Sequence, residues 1–182
     1  MEIKAEDYTV AVMGAGTMGR GIAQVAASAG HPVMLYDVAE KHTQAAIEFI
    51  GQRLEVSFQK GKITENSKVQ VLKNIKPVHA LDELFKAHLI VEAVIEDLEI
   101  KQELFCGLES VLEAESILST NTSSLDLNKI VTNLKRPERF VGMHFFNPVP
   151  VMALVEIIHT AETDPMITEF VSQLVKKWGK TP

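Results

Sequence analysis

"TVAVMGAGTMGRGIAQVAASAG", residues 9–30, is the stretch whose reading decides the fold. Its first six residues form a short apolar, β-branched run of the kind that makes a buried strand. From Thr17 onward the apolar positions Met18, Ile22, Val25, Ala26 and Ala29 fall at helical spacing. Gly30 then supplies a helix stop, with Pro32 just beyond it. The junction, Gly14-Ala15-Gly16-Thr17-Met18-Gly19, fits G-x-G-x-x-G between a strand and a helix. That context suits a dinucleotide pyrophosphate at a helix N-terminus. Gly14 permits the tight turn, Gly16 lets backbone approach phosphate, and Gly19 lets helix and strand pack closely. The competing reading is three glycines in an ordinary turn.

A second strand, "VMLYD" (33–37), ends in Asp37, eighteen residues after Gly19. An acidic side chain there accepts hydrogen bonds from adenosine ribose hydroxyls and repels a 2′-phosphate. The following Val38-Ala39-Glu40 brings no arginine to offset that repulsion. NAD(H) is therefore expected over NADP(H). A helix cap or solvated turn acid is the plainer reading of Asp37.

The same alternation of β-branched runs and helical periodicity continues along the chain. Helices are expected over about 40–60, 64–73, 81–87, 98–113, 126–133 and 165–177. The second of these leads into "IKPV", which receives no assignment. Strands are expected at "HLIVEAV" (88–94), "ILSTN" (117–121), "RFVGMHF" (139–145) and "ALVEIIH" (153–159). The fold class is α/β: a Rossmann-type, doubly wound, mostly parallel sheet with helices on both faces.

Composition bounds the function. The 182 residues, 46% hydrophobic and 23% charged, suit one soluble globular domain with a substantial core. A formal net charge of −6 without a dense basic run argues against a nucleic-acid partner. The single cysteine, Cys106, excludes an internal disulfide framework and a cysteine-based zinc cluster. The polar, acidic start and the lack of any apolar stretch near the ~18 residues of a membrane span lead to a cytoplasmic expectation.

Ligands of such sheets lie beyond the carboxyl ends of the strands. "VEAVIEDLEIK" (91–101) leaves a strand at that edge. Val94 and Ile95 are positioned to cover a nucleotide, with Glu96 and Lys101 beside them. Glu96 and Lys101 either bracket the nicotinamide ribose or are solvated charges at a helix start, and the pattern does not choose. Ser123, His144 and Glu156 stand at successive strand ends on the same edge, with Asn147 just past His144. A carboxylate bonded to one imidazole nitrogen fixes the tautomer and stabilises the imidazolium. The Pro-rich turn 147–150 is what must fold Glu156 back beside His144. With a nicotinamide nearby, His144 then exchanges a proton with an alcohol oxygen while hydride leaves the same carbon, and Ser123 bonds that oxygen. A metal is disfavoured because His144 and Glu156 lack a third clustered ligand. A satisfied core histidine is the reading His144 would receive without the glycine turn.

Taken together, "VMGAGTMGRGIAQVAASAGHPVMLYD", "VEAVIEDLEIK", "STNTSSL" and "GMHFFNPVPVMALVE" resemble the NAD-binding domain of the 3-hydroxyacyl-CoA dehydrogenases. The resemblance covers nearly the whole chain. It implies His144 as catalytic base and acid, Glu156 as its orienting partner, and Ser123 in contact with substrate oxygen and nicotinamide. It also implies NAD contacts from Asp37, Glu96, Lys101, Asn147 and the glycine turn, including Met18. A coenzyme A thioester substrate follows, from fatty-acid or related acyl-CoA degradation, with Arg53, Lys60 and Lys62 as partners for its phosphates or as ordinary solvated charges. Ala153 departs from the lysine of many relatives. The family continues past "KKWGKTP" into a helical substrate and dimerisation domain, so residues 1–182 correspond to the NAD-binding domain alone. A homodimer is implied for the full-length protein, and NAD binding with little or no turnover for this chain. The alternatives are a non-catalytic NAD-binding regulatory module and a Ser123-His144-Glu156 hydrolase. The second is weakened because Ser123 does not sit in G-x-S-x-G.

Overall fold

The computed structural model describes residues 5–182. Seven strands form one sheet: β1 Val10–Met13, β2 Val33–Tyr36, β3 Ile75–Val78, β4 Leu89–Glu92, β5 Ile117–Thr120, β6 Phe140–Phe145 and β7 Val155–Ile158. Their spatial order is β3-β2-β1-β4-β5-β6-β7, parallel except for the antiparallel β6–β7 pair. From β1 the chain winds outward through β2 and β3, then returns to the opposite side of β1 with β4. The carboxyl ends of β1 and β4, Met13 opposite Glu92, thus form a topological switch point. The Rossmann-type fold is as the glycine turn indicated.

Strand alternation accounts for the two cores. Val10 and Val12 face one side of β1, Ala11 and Met13 the other, and all four are fully buried. The first side is covered by α1 (Thr17–Ser28), α2 (Glu40–Gln59), α3 (Glu65–Asn74) and α6 (Pro165–Lys177), through residues such as Ile22, Ile50, Val71 and Val171. The second is covered by α4 (Leu98–Val111) and α5 (Leu127–Ile130), through Phe105, Leu108 and Ile130. Burial on both faces explains why the central strands read as continuous apolar runs rather than alternating ones.

Three elements differ from expectation. "IKPV" is strand β3, at the sheet edge, where Pro77 costs no interior ladder bond. The helix expected over 81–87 is a 3₁₀ turn, Leu81–Leu84. The one expected over 126–133 divides into α5 and a 3₁₀ turn, Val131–Asn133. Among the described residues no helix is long and apolar enough to cross a membrane.

Candidate active site

The glycine turn is built by close approach of backbone. Gly14 has φ +98°, and a Cβ there would lie 2.6 Å from the carbonyl oxygen of Ala93. A Cβ on Gly19 would fall inside the van der Waals shell of the Gly14 carbonyl oxygen. Helix α1 therefore leaves β1 along a path that only small residues permit. At Gly16 the situation is opposite, since nothing lies within 4 Å of where a Cβ would be. Gly16 is also the N-cap of α1, and no side chain caps it. The first N–H groups of a twelve-residue helix thus lack a side-chain partner and border open space, the arrangement that accepts a phosphate. Thr17 opens the helix and Met18 lines the cleft beyond it.

Asp37 leaves the end of β2 and reaches back to this turn. Its Oδ2 accepts from the Ala15 N–H at 2.8 Å, and its Oδ1 accepts from the Ala39 N–H at 3.1 Å and lies 2.9 Å from His42 Nδ1. Burial opposes its ionisation, but the two backbone donors and His42 outweigh it and hold the carboxyl below the usual carboxylate range. Asp37 is an anion tied to the glycine turn, not merely a solvated turn residue.

Beyond the carboxyl ends of β1, β4, β5 and β6 lies a cleft of about 460 Å³. Met18, Ala93, Val94, Glu96, Lys101, Asn121, Ser123, His144, Phe145, Phe146 and Asn147 line it. Of the expected nucleotide contacts from the β4 exit, Ile95 does not line it and is 66% exposed. The reading of Lys101 as a solvated charge is corrected: its side chain is 1% exposed. Its ammonium lies 2.5 Å from Glu92 Oε1 and 3.2 Å from Glu96 Oε2. Glu92, fully buried at the end of β4, also accepts from Thr120 Oγ1 at 2.6 Å and the Val94 N–H at 2.7 Å. Such saturation is what a buried carboxylate requires. Burial also opposes ionisation of Glu96, yet hydrogen bonding from Thr122, the charge of Lys101 and the Ser124 hydroxyl hold its carboxyl below the ordinary range.

Sequence reasoning overlooked Glu92, which lies in an apolar strand and looked like part of it. A charged residue in a run otherwise buried on both faces was the available signal. Asn121 was overlooked as well. It closes β5 and its Oδ1 accepts from the Phe145 N–H at 2.8 Å, which ties β5 to β6 beside His144.

His144 and Glu156 are directly opposite each other in the antiparallel β6–β7 register. Side chains of such a pair share one face of the sheet. His144 Nδ1 lies 2.7 Å from Glu156 Oε2, so the Nδ1–H donates to the carboxylate and Nε2 is the nitrogen left for other chemistry. Phe146 packs against the imidazole, with ring centroids 4.6 Å apart. The His144 side chain is 18% exposed and lines the cleft, while Glu156, its partner on β7, is 52% exposed and does not line it.

Arg53, Lys60 and Lys62 lie elsewhere, lining a groove of about 620 Å³ between α1, α2 and the 147–151 turn. Arg20, which the sequence reading passed over, joins them, its guanidinium carbon 3.7 Å from the Phe49 ring centroid. Four cations and no carboxylate line this groove in a protein of net charge −6. Asn147 lines both groove and cleft.

Residues 9–182 match the family described as 3-hydroxyacyl-CoA dehydrogenase, NAD binding domain. The chain belongs to that family. NAD is accordingly the cofactor of this fold unit, in agreement with the glycine turn and Asp37. The chain is 44% identical over 174 residues to 3-hydroxyadipyl-CoA dehydrogenase of Escherichia coli, covering 96% of this chain and 37% of that protein. It is 40% identical over 181 residues to a probable 3-hydroxybutyryl-CoA dehydrogenase of Bacillus subtilis, covering 100% and 62%. A crystal structure of 3-hydroxybutyryl-CoA dehydrogenase from Escherichia coli superposes with a TM-score of 0.95 at 44% identity, covering 96% of this chain and 37% of that one. The chain thus spans between about a third and two thirds of these relatives' lengths.

Proposed function

We propose that residues 1–182 are the NAD-binding domain of an enzyme that oxidises a 3-hydroxyacyl-CoA to the 3-oxoacyl-CoA, reversibly, in fatty-acid or related acyl-CoA degradation. The observation that carries this reading is the His144–Glu156 pair, 2.7 Å apart, in which His144 lines the same cleft as Met18 of the glycine turn. The open, uncapped N-terminus of α1 fits a pyrophosphate, and the anionic Asp37 fits ribose hydroxyls. Gly14, Ala15, Gly16, Thr17, Met18 and Gly19 would hold NAD there, with Asp37, Val94, Glu96, Lys101, Ser123 and Asn147 along its length; Ile95, outside the cleft lining, is left out of this set.

NAD, when bound, supplies the hydride acceptor. His144 Nε2 takes the proton of the 3-hydroxyl group, and returns it to the ketone oxygen in the reverse direction. Glu156 holds the imidazole through Nδ1, keeps Nε2 the basic nitrogen, and stabilises the imidazolium once formed. Ser123 donates a hydrogen bond to the same substrate oxygen. The Arg20, Arg53, Lys60 and Lys62 groove supplies positive charge for the phosphates of the coenzyme A moiety. The full-length protein is read as a cytoplasmic homodimer acting without nucleic acid or membrane, and the 182-residue chain as binding NAD with little turnover.

The test is replacement of His144 by Gln in the full-length protein, assayed against a ladder of 3-hydroxyacyl-CoA chain lengths. General acid–base catalysis contributes about 10²–10⁴-fold, so NADH formation should fall by that order while NAD affinity is retained. Unchanged turnover would return the reading to a binding module.

A further inference from the structure

The segment after α6 carries a lysine that nothing in the proposed chemistry uses. Gly179, at φ +72°, turns the chain, and the Lys180 N–H donates to the Val175 carbonyl at 3.1 Å. The Lys180 ammonium then donates to the carbonyl oxygens of Val149 at 2.7 Å and Met152 at 2.8 Å. Both carbonyls belong to the turn joining β6 to β7. The same segment grips the far side of that turn: the Thr181 N–H donates to Ala153 at 2.8 Å, and the Val155 N–H donates to Thr181 at 2.9 Å. Val155 immediately precedes Glu156.

The turn is also held from below. Val149 is buried, and a Cβ on Gly21 of α1 would lie 2.8 Å from the Val149 Cβ. The Val151 and Met152 N–H groups both donate to the Pro148 carbonyl, at 2.9 and 3.0 Å. Asn147, at the head of the turn, is exposed and lines the same cleft as His144 and Ser123. Burial depresses the pKa of Lys180, so keeping an ammonium here costs the fold something that a neutral side chain would not. Two carbonyls bonded to one charged donor make a stiff clip, because charge-assisted bonds are roughly twice as strong as neutral ones.

We propose that Lys180 is a positioning residue for the nicotinamide end of the site, which it serves by fixing the 147–152 turn and with it Asn147. The proposal rests on the functional reading above, in which NAD lies in this cleft with its nicotinamide beside His144. Lys180 touches neither cofactor nor substrate; it acts through the backbone of the turn. Its loss therefore weakens contacts at the nicotinamide end and leaves the pyrophosphate and adenosine end, held by the glycine turn and Asp37, as it was.

The experiment is calorimetric titration of the 182-residue chain and its Lys180→Met, Lys180→Arg and Asn147→Ala variants with NAD and with ADP-ribose, which lacks nicotinamide. Lys180→Met should weaken NAD about 10-fold, the scale of one lost charge-assisted hydrogen bond, with ADP-ribose changed less than about 2-fold. Lys180→Arg should restore most of the loss. Asn147→Ala should show the same split, and the double variant should be no worse than the single ones, since both act through one contact. Equal weakening of NAD and ADP-ribose, additive losses in the double variant, or no change in either ligand overturns the proposal. Should Lys180→Met fail to fold, Lys180→Gln keeps a side-chain donor, and the same split at about 3-fold is expected of it; equal loss of both ligands again overturns it. A wild-type chain that binds neither ligand refutes the functional reading itself. A chain that binds both without the Lys180 split refutes only the present inference.

Discussion

Glu92 and Glu156 are both carboxylates on strands of one sheet, and their surroundings give them different work. Glu156 is half exposed and makes its 2.7 Å bond across an open sheet edge. Glu92 is fully buried and bonded to Lys101, Thr120 and the Val94 backbone. Removing one member of a buried pair strands its partner, so Glu92→Ala should destabilise the chain by about 3–5 kcal/mol in urea unfolding. A loss under about 1 kcal/mol would mean that water or Glu96 readily satisfies Lys101. The two residues also differed in legibility. Glu156 stood out beside His144 because the Pro-rich turn suggested a return strand. Glu92 was hidden because its partner lies nine residues away on a helix, and sequence does not state that Lys101 folds inward.

At the scale of elements, the junction of β1 and α1 was readable because its constraint is local. Three glycines, an apolar strand and a 3.6-residue periodicity are adjacent in sequence, and the steric requirement at each glycine is met within a few residues. Gly19 shows how little room there is, since any Cβ would collide with the Gly14 carbonyl oxygen. Gly19→Ala should push α1 off β1, lower stability by about 1–3 kcal/mol as overpacking does, and weaken NAD at least tenfold in the titration used for Lys180. Retention of wild-type affinity would show that the turn yields without disturbing the helix N-terminus. By contrast, the four residues of β3 carry a proline, a residue that a central strand excludes, and only the sheet order reveals that β3 is an edge. Short helices fall where they are expected after β3 and β5, but apolar spacing over one turn does not separate 3₁₀ from α geometry: Leu81–Leu84 and Val131–Asn133 are 3₁₀ and Leu127–Ile130 is α.

Across the whole molecule, Asp37 after β2 and Glu96 after β4 flank the switch point, and both carboxyls sit below their usual range. A carboxylate with a depressed folded pKa contributes stability that is complete above its unfolded value and disappears as pH falls through the folded one. Stability from these two groups should therefore hold down to roughly pH 4 and decline below it. Unfolding midpoints measured from pH 6 to pH 3 should show this decline, and Asp37→Asn should flatten part of it; an unaltered pH dependence in that variant would assign the acid sensitivity elsewhere. Periodicity, the glycine turn and the position of Asp37 were sufficient by themselves to specify a doubly wound NAD-binding sheet, since each is a relation among near neighbours along the chain. The partners of Lys101, the grip of Lys180 on the 147–152 turn and the inclusion of Arg20 in the basic groove were decided only by tertiary structure. Those relations join residues brought together by sheet order and helix packing, where burial determines whether a charge finds a partner or faces water.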